Sequence, residues 1–550
     1  MRFTPVIPFA VAVLALGATF PGSSTRPDEG MWPFDSLPLK QLKEKYDFEP
    51  SQEWLDHVRL GSVRFDTGGS GSFVSPDGLV MTNHHVALET IQKVSTPEKD
   101  WVEPGFSARL YGEEVPGKDL VLRQLVAVKD VTEQVTAVKA EGGDVDAALA
   151  ELCKGLSNEA EHLEAQPVSL YDGNQYRAYV YHVYDDVRLV FAPAKQVAFY
   201  GGDYDNFTYP RWCLDCAFFR VYEDGEPVDS SEWFFQFETE GANSGDLVFV
   251  SGHPGGTERS LTYDEMVMHR DLWTPQVVAL LANNVKVIKA RMEQSEEAAF
   301  QLRDTYFGQM NSLKAFTGHL NGLLDEERMA LIQARDEALM EASGKDDVKA
   351  AFAAIKAEME TLKAKHAGER VNFQAMRQDM AASTKAVEEH KTVINKARFD
   401  VYGDKNYPDA TFTLRLAYGT VQGYEAGTTK VSPKTTVHGL YERNTAFDNE
   451  HPFDLPQQWL DKKDELDMST PYNFVSTCDI IGGNSGSPIL DRDAKVVGLV
   501  FDGNIESLPG NYWFDEVVNR CVGVHTAIMV EALVKVYEEY GLVSELTGGK

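Results

Sequence analysis

Gly482-Gly483-Asn484-Ser485-Gly486-Ser487-Pro488 is a serine held in a glycine-rich turn and closed by Gly-x-Pro. Glycine lets the backbone turn sharply, so amide N–H groups converge beside the serine oxygen. The amides of Gly483 and Ser485 are the expected oxyanion-binding pair. A nucleophilic serine of this kind makes two demands on the sequence upstream. A histidine must take its proton and a carboxylate must orient that histidine, in the order His, Asp, Ser.

The histidine is found at Leu79-Val80-Met81-Thr82-Asn83-His84-His85-Val86, an apolar strand ending in two histidines. It follows Gly68 to Gly78, which reads as strand, Pro-Asp-Gly turn, strand. In chymotrypsin-like enzymes the base directly precedes a small residue opening a helical turn. That favours His85, followed by Val86-Ala87, and leaves His84 as a structural histidine. The carboxylate is sought in Gly201 to Tyr222, where Asp215 opens the apolar strand Ala217–Tyr222. A carboxylate buried at such a strand end accepts the imidazole N–H and fixes its tautomer. Asp203 and Asp205 sit in a Gly-rich loop and read as turn chemistry. The spaced acidic ligands and terminal Glu of a calcium loop are missing there.

Taken together, these segments resemble the S46 serine peptidases, the bacterial dipeptidyl-peptidases 7 and 11 and their relatives. The likeness rests on an ordered set: Gly30-Met31-Trp32, Thr82-Asn83-His84-His85, Gly202-Asp203 to Asn206, Tyr209-Pro210-Arg211 and Asp215. Gly252-His253-Pro254-Gly255, Thr477-Cys478-Asp479, Gly482 to Pro488 and Phe501-Asp502-Gly503 complete it. The resemblance implies a triad of His85, Asp215 and Ser485. It implies release of dipeptides from a free N-terminus, with the substrate ammonium held by Asn206, Asp502 and, on a helical domain, Asn311. Phe207 stands where family members usually carry Trp. The acid-preferring branch has an Arg after the Phe-Asp pair, where this chain has Gly503. That substitution leads to an expected apolar or broad preference at P1, the residue before the cut bond. The implied mechanism is acyl transfer without metal or organic cofactor, and homodimerisation is implied by the family alone.

Two other readings stay open at the sequence level. One is a chymotrypsin-like endopeptidase. Asp479 lies six residues before Ser485, the spacing at which a carboxylate in the pocket floor selects Arg or Lys at P1. The other is a catalytically silent peptide-binding homologue.

The fold expectation is α+β and mainly β: a chymotrypsin-like double β-barrel interrupted by an α-helical cap. From Val277 to Tyr407 there is no proline, and Phe352, Ile355, Met359 and Leu362 form an amphipathic helical stripe. The domains expected are a signal peptide over 1–25, a peptidase domain over 26–264 and 406–550, and a helical cap over 265–405. In the family that cap blocks longer chains, and here it is shorter than the family's. The apolar run Pro8 to Ala18, behind Arg2, is too short to span a membrane and points to export to a bacterial periplasm. A net charge of −33 argues against nucleic-acid partners, and no further long apolar run predicts a membrane association; oligopeptide substrates are what the resemblance implies. Of five cysteines, Cys213 and Cys216 bracket Asp215 and read as a structural pair or two buried thiols; with Cys153, Cys478 and Cys521, up to two disulfides are permitted.

Overall fold

The computed structural model describes residues 28–368, 372–403 and 406–548. The signal peptide expected over 1–25 lies outside the described residues. Two antiparallel sheets organise the chain. The larger has eleven strands. At its centre Asp186–Ala192, Ala217–Glu223, Leu79–Thr82, Ser70–Phe73, Ser62–Phe65, Leu122–Asp130 and Gln175–Tyr184 lie side by side. The second has seven, in the order Arg415–Thr420, Leu247–Gly252, Pro488–Leu490, Val496–Gly503, Cys521–His525, Pro471–Ser476 and Lys434–Thr436.

Successive side chains of a strand point to opposite faces. In Leu79–Thr82 both faces are apolar and both are buried. Leu79 and Met81 join a cluster with Phe191, Phe218, Phe249 and Leu499, which spans both sheets. Val80 enters a second cluster with Phe65, Phe73, Phe219 and Val221, internal to the larger sheet. A third cluster, with Val248, Val250, Phe474 and Val497, belongs to the smaller sheet. The shared cluster locks the sheets together, and polar contacts add register. The Ser62 and Ser251 hydroxyls meet at 2.7 Å, and the Ser70 amide donates to the Ser485 carbonyl at 2.8 Å.

Six helices matter for the site: α1 (His84–Val94), α2 (Thr274–Met292), α3 (Glu296–Leu323), α4 (Glu326–Ser343), α5 (Asp346–Lys365) and α6 (Phe373–Tyr402). Side-chain caps start several of them. Ser295 accepts from the Ala298 amide, Asp325 from Glu327 and Arg328, and Asn372 from Gln374 and Ala375. Each such cap contributes about 1 kcal/mol. The stripe Phe352, Ile355, Met359, Leu362 on α5 packs against Leu339, Met376, Val387 and Ile394. At 28 residues, α3 is about 42 Å long and runs beside α2.

Helix accounts for 45% and strand for 21%, so the architecture is mixed α/β with antiparallel sheets, and the expected predominance of β structure does not hold. The excess lies both in α2–α6 and in helices that flank the sheets, such as Gln52–Gly61, Val145–Leu156 and Val437–Ala446.

Candidate active site

The strand pairing decides where the carboxylate goes. Ala217 pairs with Thr82 in antiparallel register, so residues before Ala217 lie against residues after Thr82. Asp215 thereby meets the start of α1. The Asn83 amide nitrogen Nδ2 donates to the Asp215 carbonyl at 2.8 Å, and the His85 backbone N–H donates to Asp215 Oδ1 at 3.0 Å. The His85 ring nitrogen Nδ1 lies 2.6 Å from Asp215 Oδ2. An ionised carboxylate only accepts, so Nδ1 carries the proton and Nε2 is left as the ring's acceptor. Burial alone raises the Asp215 carboxyl, but His85 and the bonds from its ring and amide outweigh it and hold the group below the usual aspartate range. Burial lowers His85, yet the Asp215 charge and hydrogen bond win and hold the imidazole above its ordinary value. His84 is different: fully buried, it is pushed down to about 4 and stays neutral.

The serine turn docks on the larger sheet. Gly483 has φ 100° and Gly486 φ 86°, left-handed conformations that suit glycine. Space imposes the same choice. A Cβ on Gly486 would lie 1.9 Å from the Ser70 carbonyl oxygen, and one on Gly483 2.5 Å from that of His253. The amides of Asn484, Gly486 and Ser487 donate to the carbonyls of Ile481, Val500 and Asn484. Among the described residues, those of Gly483 and Ser485 have no such acceptor. Both therefore stand available to an oxyanion. Ser485, His85 and Asp215 line one cavity of about 300 Å³.

The same cavity holds Asn206, Phe207, Asn311, Asp502 and Gly503. The Asn206 amide nitrogen donates to Asn311 Oδ1 at 3.0 Å, tying the loop after Gly202–Asp205 to α3. Asp502 Oδ2 accepts from the Phe207 amide at 2.9 Å and from Arg211 Nη1 at 2.6 Å. Phe207 has φ 54°, a left-handed conformation costing roughly 1–2 kcal/mol in a residue with Cβ. That strain is borne at the point where its N–H reaches Asp502. Arg211 is 1% exposed and lies over the Phe501 ring at 5.5 Å.

Three further placements bear on specificity. A Cβ at Gly503 would lie 2.3 Å from Ser507 Oγ, so a hydroxyl stands directly beside this position in the cavity wall. Asp479 is 1% exposed and accepts from Arg259 Nη1 at 2.5 Å and Nη2 at 2.8 Å, and from the Gly30 amide at 3.0 Å. Its charge is neutralised inside the protein and is not offered to an Arg or Lys side chain. Cys213 and Cys216 are free, buried thiols, as are Cys153, Cys478 and Cys521. Burial raises Cys213 to about 12, and Cys216 is raised as well.

Sequence reading placed Arg211 in a motif but gave it no role, and in the structure it pins Asp502; Arg259, which neutralises Asp479, and Ser507 were overlooked. It also passed over His319, which lines the cavity from α3. The one available signal was the spacing Asn311, Ala315, His319, which sets three residues on one helical face.

A family model described as Peptidase S46 matches residues 27–383 and 369–548. The dipeptidyl-peptidase 7 of Phocaeicola vulgatus is 24% identical over 712 aligned residues, covering 95% of this chain and 97% of the relative. That span exceeds the 550 residues here, so the relative carries segments this chain lacks. The Asp/Glu-specific dipeptidyl-peptidase of Capnocytophaga gingivalis is 25% identical, covering 89% of this chain and 92% of the relative. The crystal structure of Porphyromonas endodontalis DPP11 in complex with the dipeptide Arg-Asp superposes with TM-score 0.84 at 18% identity, covering 94% of this chain and 99% of that one. Another structure of the same protein holds Arg-Glu, with TM-score 0.83. Dipeptides ending in Asp and Glu overturn the apolar, broad P1 preference inferred from Gly503. In the structure the hydroxyl of Ser507 lies beside Gly503, so the cavity wall there is polar.

Proposed function

The chain belongs to the peptidase S46 family, and we propose that it is a serine dipeptidyl-peptidase that removes dipeptides ending in an acidic residue from free N-termini. In this reading His85 Nε2 takes the Ser485 proton as the hydroxyl attacks the carbonyl of the second residue. Asp215 orients the ring and stabilises the imidazolium. The Gly483 and Ser485 amides hold the oxyanion, where loss of one donor costs roughly 3–4 kcal/mol. Proton return to the leaving amine and attack by water then release the dipeptide.

The single observation that carries this reading is the convergence of Asn206, Asn311 and Asp502 in the cavity of Ser485. An ammonium taken from water needs acceptors and a counter-charge, and the Asn311 and Asn206 amide oxygens offer acceptors beside the Asp502 carboxylate, whose charge the ammonium would share with Arg211. The two sheets would be the two chymotrypsin-like barrels, and α2–α6 the cap that stops a chain from extending beyond the second residue. The segment 1–25 would direct export to the periplasm. Asp479, paired with Arg259, speaks against an endopeptidase selecting Arg or Lys.

Mass spectrometry of the products from a decapeptide with Asp at its second position tests the proposal. The expected product is the N-terminal dipeptide together with the octapeptide. Internal fragments appearing first would contradict it.

A further inference from the structure

An acidic P1 side chain needs a donor, and Gly503 supplies none. Three side chains lining the cavity are able to carry positive charge: His85, Arg211 and His319. Two are committed. The His85 ring meets Asp215 at 2.6 Å and Arg211 meets Asp502 at 2.6 Å. The polar groups beside Gly503 are also engaged. Ser507 Oγ donates to the Asn504 carbonyl at 2.7 Å, and Asn511 Nδ2 donates to Glu258 at 2.9 Å.

His319 is partly buried and held in place by ring contacts. Its ring packs against Phe316 at 5.2 Å and edge-on to Tyr512 at 6.0 Å. Among the described residues it has ring contacts and no hydrogen-bond partner. Burial keeps it neutral, with a pKa of about 4, so it presents one N–H donor and one acceptor nitrogen. Its position along α3 is fixed by close packing. A Cβ on neighbouring Gly318 would lie 2.4 Å from Leu508, and one on Gly322 2.8 Å from Pro509. Only bare backbone lets α3 sit this close to Ile505–Asn511, the turn that follows Asp502 and Gly503.

The spacing matches a dipeptide. Asn311, Ala315 and His319 all line the cavity, and the eight-residue step from Asn311 to His319 corresponds to a rise of about 12 Å. In an extended dipeptide the P1 Cα lies about 5 Å from the ammonium nitrogen, and the P1 side chain branches from there. With the ammonium at Asn311, a dipeptide laid along α3 directs a P1 carboxylate toward His319.

We propose that His319 is a specificity-determining residue that donates an imidazole N–H to the P1 carboxylate, replacing the cation that Gly503 does not provide. The inference rests on the dipeptidyl-peptidase reading above.

The full chain tests it with free-amine dipeptidyl substrates sharing one P2 residue and carrying Asp, Glu or Leu at P1. The quantity is the ratio of kcat/KM for Asp-P1 to that for Leu-P1, which is independent of the folded fraction of each preparation. His319→Phe and His319→Leu should each lower the ratio about 10–100-fold, the loss of one hydrogen bond to a charged group. His319→Gln, which keeps an N–H donor, should restore most of it. A ratio unchanged in both apolar variants overturns the role of His319 and leaves dipeptide release standing. A wild-type chain that cleaves none of the free-amine substrates overturns both.

Discussion

Asp479→Asn separates a structural carboxylate from a specificity carboxylate. Asp479 lies six residues before Ser485, so a tryptic reading makes it the partner of a P1 guanidinium. In the structure it takes both Nη groups of Arg259, at 2.5 and 2.8 Å, and the Gly30 amide at 3.0 Å. Both side chains are buried, at 1% and 8% exposure. The isosteric amide keeps the shape but removes the charge, leaving the buried guanidinium without its directly bonded carboxylate and with Glu29 as a further counter-charge. Breaking one partner of a buried pair costs about 3–5 kcal/mol. A total stability of the ordinary order, roughly 5–15 kcal/mol, makes that a large fraction. Urea denaturation followed by far-ultraviolet circular dichroism reads the loss. The double variant Asp479→Leu with Arg259→Met, which removes both charges, should recover most of it. Kinetics on Arg-, Leu- and Asp-P1 dipeptidyl substrates complete the test, and the order of preference should not change in Asp479→Asn. A variant that loses less than about 1 kcal/mol while selectively losing Arg-P1 cleavage would refute the reasoning.

Two other outcomes follow from the same geometry. The general base must be neutral, and His85 is held above its ordinary value by Asp215. The acid limb of kcat/KM should therefore have its midpoint above 6.5. Asp215→Asn should move that limb downward and reduce kcat about 10⁴-fold; an unmoved limb in the pH–rate profile would assign it to another group. Gly318→Ala sets a Cβ 2.4 Å from Leu508, an overpacking cost of about 1–3 kcal/mol. It should displace α3 and raise KM about tenfold or more in initial-rate measurements, whereas an unchanged KM would show that α3 docking does not shape the site.

The parts of the site legible in sequence were those written as short motifs. The serine turn needs glycine at Gly483 and Gly486, and the structure gives the reason in φ and in van der Waals space. The Thr82-Asn83-His84-His85 run ended a strand, and one pairing register, Ala217 with Thr82, brought Asp215 to it. The structure separates the two histidines by place: His84 is buried at the start of α1, and His85 lines the cavity. What sequence could not supply was pairing across long separations. Arg259 and Asp479 are 220 residues apart, and no periodicity links them. Ser507 comes beside Gly503 because the chain turns back after strand Val496–Gly503. The polar wall this makes could not be read from Gly503 alone, and the P1 expectation rested on that residue alone. The balance of helix and strand was misjudged for a related reason. Motifs cluster on strands and turns, while the helices between them carry few.

The central claim is that the substrate enters by its ammonium group, held by Asn206, Asn311 and Asp502. Its most direct measurement compares kcat/KM for a free-amine peptide with that for its N-acetylated twin at one pH. Acetylation removes the charge and leaves the buried Asp502 carboxylate unmatched by substrate, so a loss of roughly 100-fold or more is predicted. Equal cleavage of the two peptides would contradict the account.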